Sequence, residues 1–140
     1  MSQATYDDVN LILRLYEIRR EEKLRTARAW FVKNFKAKSM AEFTEMCPPG
    51  TENNALWRQT VSYWDMASSF ITAGVLNKEL FFQNNREMLL TWVRVEPIIG
   101  ELRKSFSDPN FLKNLETVAT AFADYLGKET HQAFLGRARG

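Results

Sequence analysis

Apolar positions recur along this chain every three or four residues, the period of a helix face turned to a core. Between Tyr6 and about Phe35 there is no glycine or proline. Val9, Ile12, Leu13, Tyr16, Leu24, Ala27, Phe31 and Phe35 fall there at spacings of three, four and seven, or their sums. The pattern predicts one long first helix, capped by Thr5, with Asp7 and Asp8 at the positive end of its dipole. Its first half is apolar on a second side as well. Leu11, Leu15 and Ile18 form another row, and so wide a stripe needs two neighbours or a second subunit. The middle of the segment is charged, with Glu21 and Arg25 in the favourable i,i+4 order.

Punctuation divides the rest. Ser39-Met40-Ala41-Glu42 reads as a capping box opening a short helix, and Cys47-Pro48-Pro49-Gly50 closes it. A long helix over about 54–73 would turn Trp57, Val61, Trp64, Ala67 or Ser68, and Ile71 inward, with Gly74 as its left-handed stop. Asn77 caps a short helix reaching Gln83, the Phe81-Phe82 pair plugs one end of the core, and Asn84-Asn85 is a break. The next long helix, about 86–105, contains Pro97, which predicts a kink and frees the Val93 carbonyl for another donor. Asp108-Pro109 reads as a restart, with Leu112, Leu115, Val118 or Ala119, Phe122 and Leu126 inward and Gly127 as stop. Lys128 to Gly140 is polar and predicted to fray. The expectation is an all-α fold: an irregular up-and-down helical bundle of four long helices plus two short ones. Residues 1–127 would form a single helical domain and 128–140 a frayed tail.

Composition mainly excludes. Net charge is +2, without the basic excess of a dedicated nucleic-acid binder, so nucleic acid is not an expected partner. Residues 1–38 carry nine Lys/Arg against five Asp/Glu, and 39–108 carry six against nine, so the two segments can pair within one bundle. The single cysteine allows no intramolecular disulfide, the first residues do not read as a secretory signal, and no apolar run approaches a membrane span. A cytoplasmic protein is expected. The lone histidine, His131, sits remote from Cys47, and no Glu-x-x-His pair, zinc set, Ser/His/Asp set or phosphate-binding glycine loop is present. No metal or cofactor is expected, and the reading leans away from an enzyme.

Three candidate sites remain. Asp65, one step from Trp64 and two helical turns from Trp57, is a carboxylate that partial desolvation would suit to acid–base work. The plainer alternative makes the tryptophans core and Asp65 the partner of a basic side chain. Trp92, Arg94 and Glu96 flank the Pro97 kink. There Arg94 or Arg103 would meet Asp65 or Glu96, either around a ligand or as a structural ion pair. Together Trp57, Trp64, Asp65, Trp92, Arg94 and Glu96 would line a small-molecule pocket. The third candidate is the basic surface of the first helix, from Arg14 to Lys38, interrupted by Glu17, Glu21 and Glu22. It suits an acidic protein or a membrane surface, or a solvated face that pairs with itself. Cys47 is a small buried residue or an exposed thiol.

Two stretches carry a resemblance. Leu11-Ile12-Leu13-Arg14-Leu15-Tyr16-Glu17 with the charged run to Trp30-Phe31 is one. Tyr63-Trp64-Asp65, Gly74-Val75-Leu76, Trp92-Val93 and Pro97-Ile98-Ile99 make the other. They resemble small all-helical bacterial proteins classed as a domain of unknown function. Some members have an amino-terminal membrane helix, which this sequence lacks. The resemblance implies an all-helical fold and a bacterial cytoplasmic origin, and it brings no functional residues. The leading expectation is a non-enzymatic interaction module forming a homo-oligomer, a dimer, through Leu11, Leu15 and Ile18. The alternatives are a small-molecule binder or enzyme at the Pro97 kink, and docking to an acidic partner or membrane surface.

Overall fold

The computed structural model describes residues 3–140 and is helical throughout, with no strand among the described residues. Among the described residues nine α-helices follow in chain order: α1 (Tyr6–Arg19), α2 (Glu22–Asn34), α3 (Met40–Met46), α4 (Glu52–Thr72), α5 (Lys78–Asn84), α6 (Arg86–Val95), α7 (Ile99–Ser105), α8 (Lys113–Leu126) and α9 (Lys128–Arg139). A 3-10 turn, Glu96–Ile98, joins α6 to α7.

The longest helix, α4, is the axis of the bundle. Its inward face is Trp57, Val61, Trp64 and Ala67, as the periodicity predicts, with Thr60, Tyr63 and Ser68 buried beside them. Helices α2 and α8 pack on it, and α6 and α9 complete the cover. Aromatic rings fill the core. Phe31 stacks on Phe35 at 5.0 Å, Phe43 meets Trp57 edge-on at 4.8 Å, and Phe82 stacks on Phe122 at 4.4 Å. Phe81 and Phe82 are both buried, as a plug requires. Such pairs contribute ~0.5–1.5 kcal/mol each beyond the area they bury.

Four expectations are corrected. The first helix is two. The chain leaves α1 at Arg20, and Glu21, in an extended conformation, starts α2 by accepting a hydrogen bond from Leu24 N at 3.1 Å. The charged run thus supplies a cap rather than an i,i+4 pair with Arg25. The free end of α1 is closed from across the break by Arg28, which donates to Arg19 O at 2.9 Å. Second, Ser39 caps α3 through Glu42 N, but Glu42 reaches back to Lys38 N, not to Ser39 N, so the box is open on one side. Third, Asp108-Pro109 opens no helix. Asp108 spends its carboxylate on Asn110 N two residues on, and the chain turns until Lys113. Leu112, buried, takes a left-handed backbone (φ 58°), a conformation costing about 1–2 kcal/mol for a non-glycine residue.

Fourth, residues 128–139 are helix where a frayed tail is predicted. Gly127, at φ 87°, ends α8 and turns the chain directly into α9. Helix α9 packs on α6 and α8 with Ala138 buried, while Phe134 and Leu135 lie against the core. The helix is held by partners distant in sequence, which its own polar composition does not reveal.

Candidate functional site

The six residues expected to line one pocket are dispersed. Trp57 and Trp64 are packed in the core, and their indole N–H groups find no acceptor there. Trp92 is buried as well. Asp65, half-buried, accepts a hydrogen bond from Leu115 N at 2.9 Å. Helix α8 has no side-chain cap of its own, so Asp65 of α4 caps its first turn from outside. Burial pushes the Asp65 carboxyl above the usual range, against the lowering by the Leu115 N–H and by the Arg103 charge. Its partner is a backbone amide, not the basic side chain expected of it. A cleft of about 610 Å³ opens beside Asp65, with Arg58, Ser62, Asp108 and Asn110 on its walls. No nucleophile–base pair forms there among the described residues.

Arg94 meets neither Asp65 nor Glu96. Although 8% exposed, it lies among main-chain carbonyls, with Nε on Ala138 O at 2.9 Å and Nη1 on Phe31 O at 3.1 Å and on Val32 O. It ties α6 to α2 and α9. Burial lowers its pKa, yet a guanidinium stays protonated. Glu96 is exposed and pairs with Arg139 at 2.6 Å. The Val93 carbonyl, the group Pro97 frees, accepts Arg139 Nε at 3.0 Å. The kink therefore exists, and α9 occupies the acceptor it exposes. Burial also raises the Cys47 thiol to about 11, which leaves it a poor nucleophile at neutral pH.

The basic surface of the first segment is partly spent inside the molecule. Arg28 grips Glu87 with two bonds, 2.9 and 2.7 Å, and Arg19 donates to Asn85 Oδ1 at 2.6 Å. The first segment does pair with the acidic middle there, as their opposite charges suggest.

Helix α1 presents two apolar rows. Of the row expected to be free, Leu15 is 2% exposed and Leu11 is half-buried against the core. Only Ile18, at 38%, reaches solvent. Leu15 also receives Tyr63 Oη on its carbonyl at 2.7 Å, which anchors α1 to α4. Of the row expected to face inward, Ile12 packs against the core, while Val9, Leu13 and Tyr16 lie on the outside in line with Tyr6. Tyr6, Val9, Leu13 and Tyr16 are 88, 42, 54 and 38% exposed. They succeed one another at three, four and three residues, one continuous seam about 15 Å long. Val75, also exposed, sits by the start of α1 across a cleft shared with Thr5 and Asp7. Composition could not distinguish the rows. Tyr63 and Asp8 do so, because their bonds to Leu15 O and Asn77 N fix the rotation of the helix.

The fold and its surfaces thus define a helical protein in which the described residues form no cluster of His, Cys, Asp or Glu able to hold a metal. No helix of the described residues is long and apolar enough to cross a membrane. The chain belongs to a family described as a domain of unknown function, DUF4760, which it matches over residues 4–122. No curated protein and no solved structure matches it significantly.

Proposed function

We propose that this protein is a non-enzymatic interaction module that pairs with a second copy of itself through α1. The observation that carries the reading is the seam Tyr6–Val9–Leu13–Tyr16, four large side chains in register on a helix whose other side is held to the core by Leu15 and Leu11. Covering such a seam removes apolar surface from water at ~25 cal/mol per Å².

An antiparallel arrangement fits best. It sets Tyr6 against Tyr16 and Val9 against Leu13 of the second copy, so the row is complementary to itself, as a two-fold contact requires. It also sets the helix dipoles in opposite directions. A single 14-residue helix offers less than the ~800 Å² per partner of a standard interface, so the dimer is weak, with a Kd of micromolar order. The absence of a membrane-crossing helix among the described residues and the lone cysteine accord with a cytoplasmic setting.

The double substitution Val9→Glu/Leu13→Glu tests this. Both positions are exposed, so the variant keeps the circular dichroism spectrum and thermal midpoint of the parent while sedimenting as a monomer. A variant that sediments like the parent at every concentration removes α1 as the contact.

A further inference from the structure

The face made by α2, α6 and α9, which does not include α1, carries four cations without an acidic partner. Arg25 and Lys33 stand on α2, Arg86 in the first turn of α6 and Arg137 near the end of α9, and all four side chains are exposed. None of them belongs to an ion pair among the described residues. Glu21, placed to meet Arg25, instead caps α2 through Leu24 N. Arg137 lies over the Phe134 ring, 6.0 Å from its centroid, an arrangement that leaves the guanidinium N–H groups free.

The four cations border two neighbouring clefts. One, of about 410 Å³, lies along α2, and the other, of about 340 Å³, lies between α6 and α9. They share Glu87 as a wall, and it is the one acid lining either. Arg28 already holds Glu87 with two bonds, and Arg94, at the back of the second cleft, is engaged by carbonyls. The surplus is therefore that of the four outer cations, twice the net charge of the whole chain. Beneath this rim the clefts are apolar, with Ala29 and Val32 in one and Leu90 and Phe134 in the other.

We propose that this face docks an acidic amphipathic segment of a partner protein, with apolar side chains in the two clefts and carboxylates against Arg25, Lys33, Arg86 and Arg137. Guanidinium forks pair with carboxylates in a bidentate manner, and the opposite charges steer the encounter. Charge alone would equally suit nucleic acid or an anionic bilayer. The apolar clefts favour a protein segment, because a phosphate backbone has nothing to place in them and a flat lipid surface does not enter them. Phe134 and Arg137 lie beyond residues 4–122, so the family's matched stretch does not carry the whole site.

The probe is a fluorescein-labelled helical peptide with Leu at i, i+3, i+4 and i+7 and Glu elsewhere, followed by anisotropy as the full chain is added. Two comparison peptides carry Gln for every Glu, or Ala for every Leu. Saturable binding is expected at low salt, weakened about tenfold or more at ~200 mM NaCl, with both comparison peptides bound less tightly. Arg25→Gln/Lys33→Gln and Arg86→Gln/Arg137→Gln should each bind the probe about fivefold or more weakly. Lys78→Gln/Lys104→Gln removes the same charge from other exposed positions and should bind like the parent. Four results overturn the proposal: no binding at low salt, an equal loss in Lys78→Gln/Lys104→Gln, a comparison peptide bound as tightly as the probe, or tighter binding to duplex DNA or to phosphatidylglycerol vesicles than to the probe.

Discussion

Asp65 shows how little a residue's type says about its task. It sits beside a tryptophan on a buried helix face, a setting that invites acid–base chemistry, yet its oxygen caps α8. The two readings separate by substitution. Asp65→Ala removes the cap and should cost about 1 kcal/mol in urea unfolding at neutral pH. Asp65→Asn keeps an acceptor for Leu115 N–H, removes the charge that burial disfavours, and should leave stability equal or raised. The raised carboxyl also sets a sign. The folded state holds the proton more tightly than the unfolded one, so Asp65 lowers stability as pH climbs from about 3.8 through its folded value, and Asp65→Asn should abolish that slope. An alanine variant as stable as the parent would show that the bond to Leu115 contributes nothing. Arg94 supplies a harsher case. Arg94→Met takes the arginine donor from Val32 O and Ala138 O in a buried setting, while Phe31 O keeps its bond from Phe35 N. At ~1–3 kcal/mol per unsatisfied group the loss should reach about 3 kcal/mol or more by chemical denaturation. A loss below 1 kcal/mol would contradict the bridging role given to it here.

At the scale of elements, the sequence showed where helices lie better than how they are joined. The starts at Thr5, Ser39 and Asn77 and the stops at Gly74 and Gly127 could be read directly, because a cap or a left-handed glycine acts on its own neighbours. What failed depended on distant groups. The break at Arg20-Glu21 is stabilised by Arg28 and by the bond from Arg19 to Asn85, 66 residues on. The start of α8 waits for Asp65, 50 residues earlier, and overrides the local signal of Asp108-Pro109. Helix α9 forms because Arg94 and the Val93 carbonyl, 44 and 46 residues away, take its backbone and its Arg139. The same logic predicts the effect of removing it. A chain ended after Gly127 loses both contacts and uncovers α6, so its thermal midpoint should fall by several degrees, ~4 °C for each kcal/mol lost. A frayed, undocked tail could be removed without change.

At the scale of the molecule, the six candidate residues do not form one group. The aromatic ones became core, Asp65 a cap and Glu96 a surface ion pair, because the bundle sets α4 and the Pro97 bend on separate surfaces. The two-sided first helix was visible in the spacing, but which side stayed free depended on Tyr63 and Asp8, which lock its rotation. The family match extends from residue 4 to 122 and so includes α1 with its exposed seam. Sedimentation equilibrium of the unmodified chain, from about 1 to 200 µM, bears most directly on that seam. The account predicts a reversible rise in weight-average mass from 16.3 kDa toward twice that value, lost in Val9→Glu/Leu13→Glu. A mass that stays at 16.3 kDa across the whole range would contradict it.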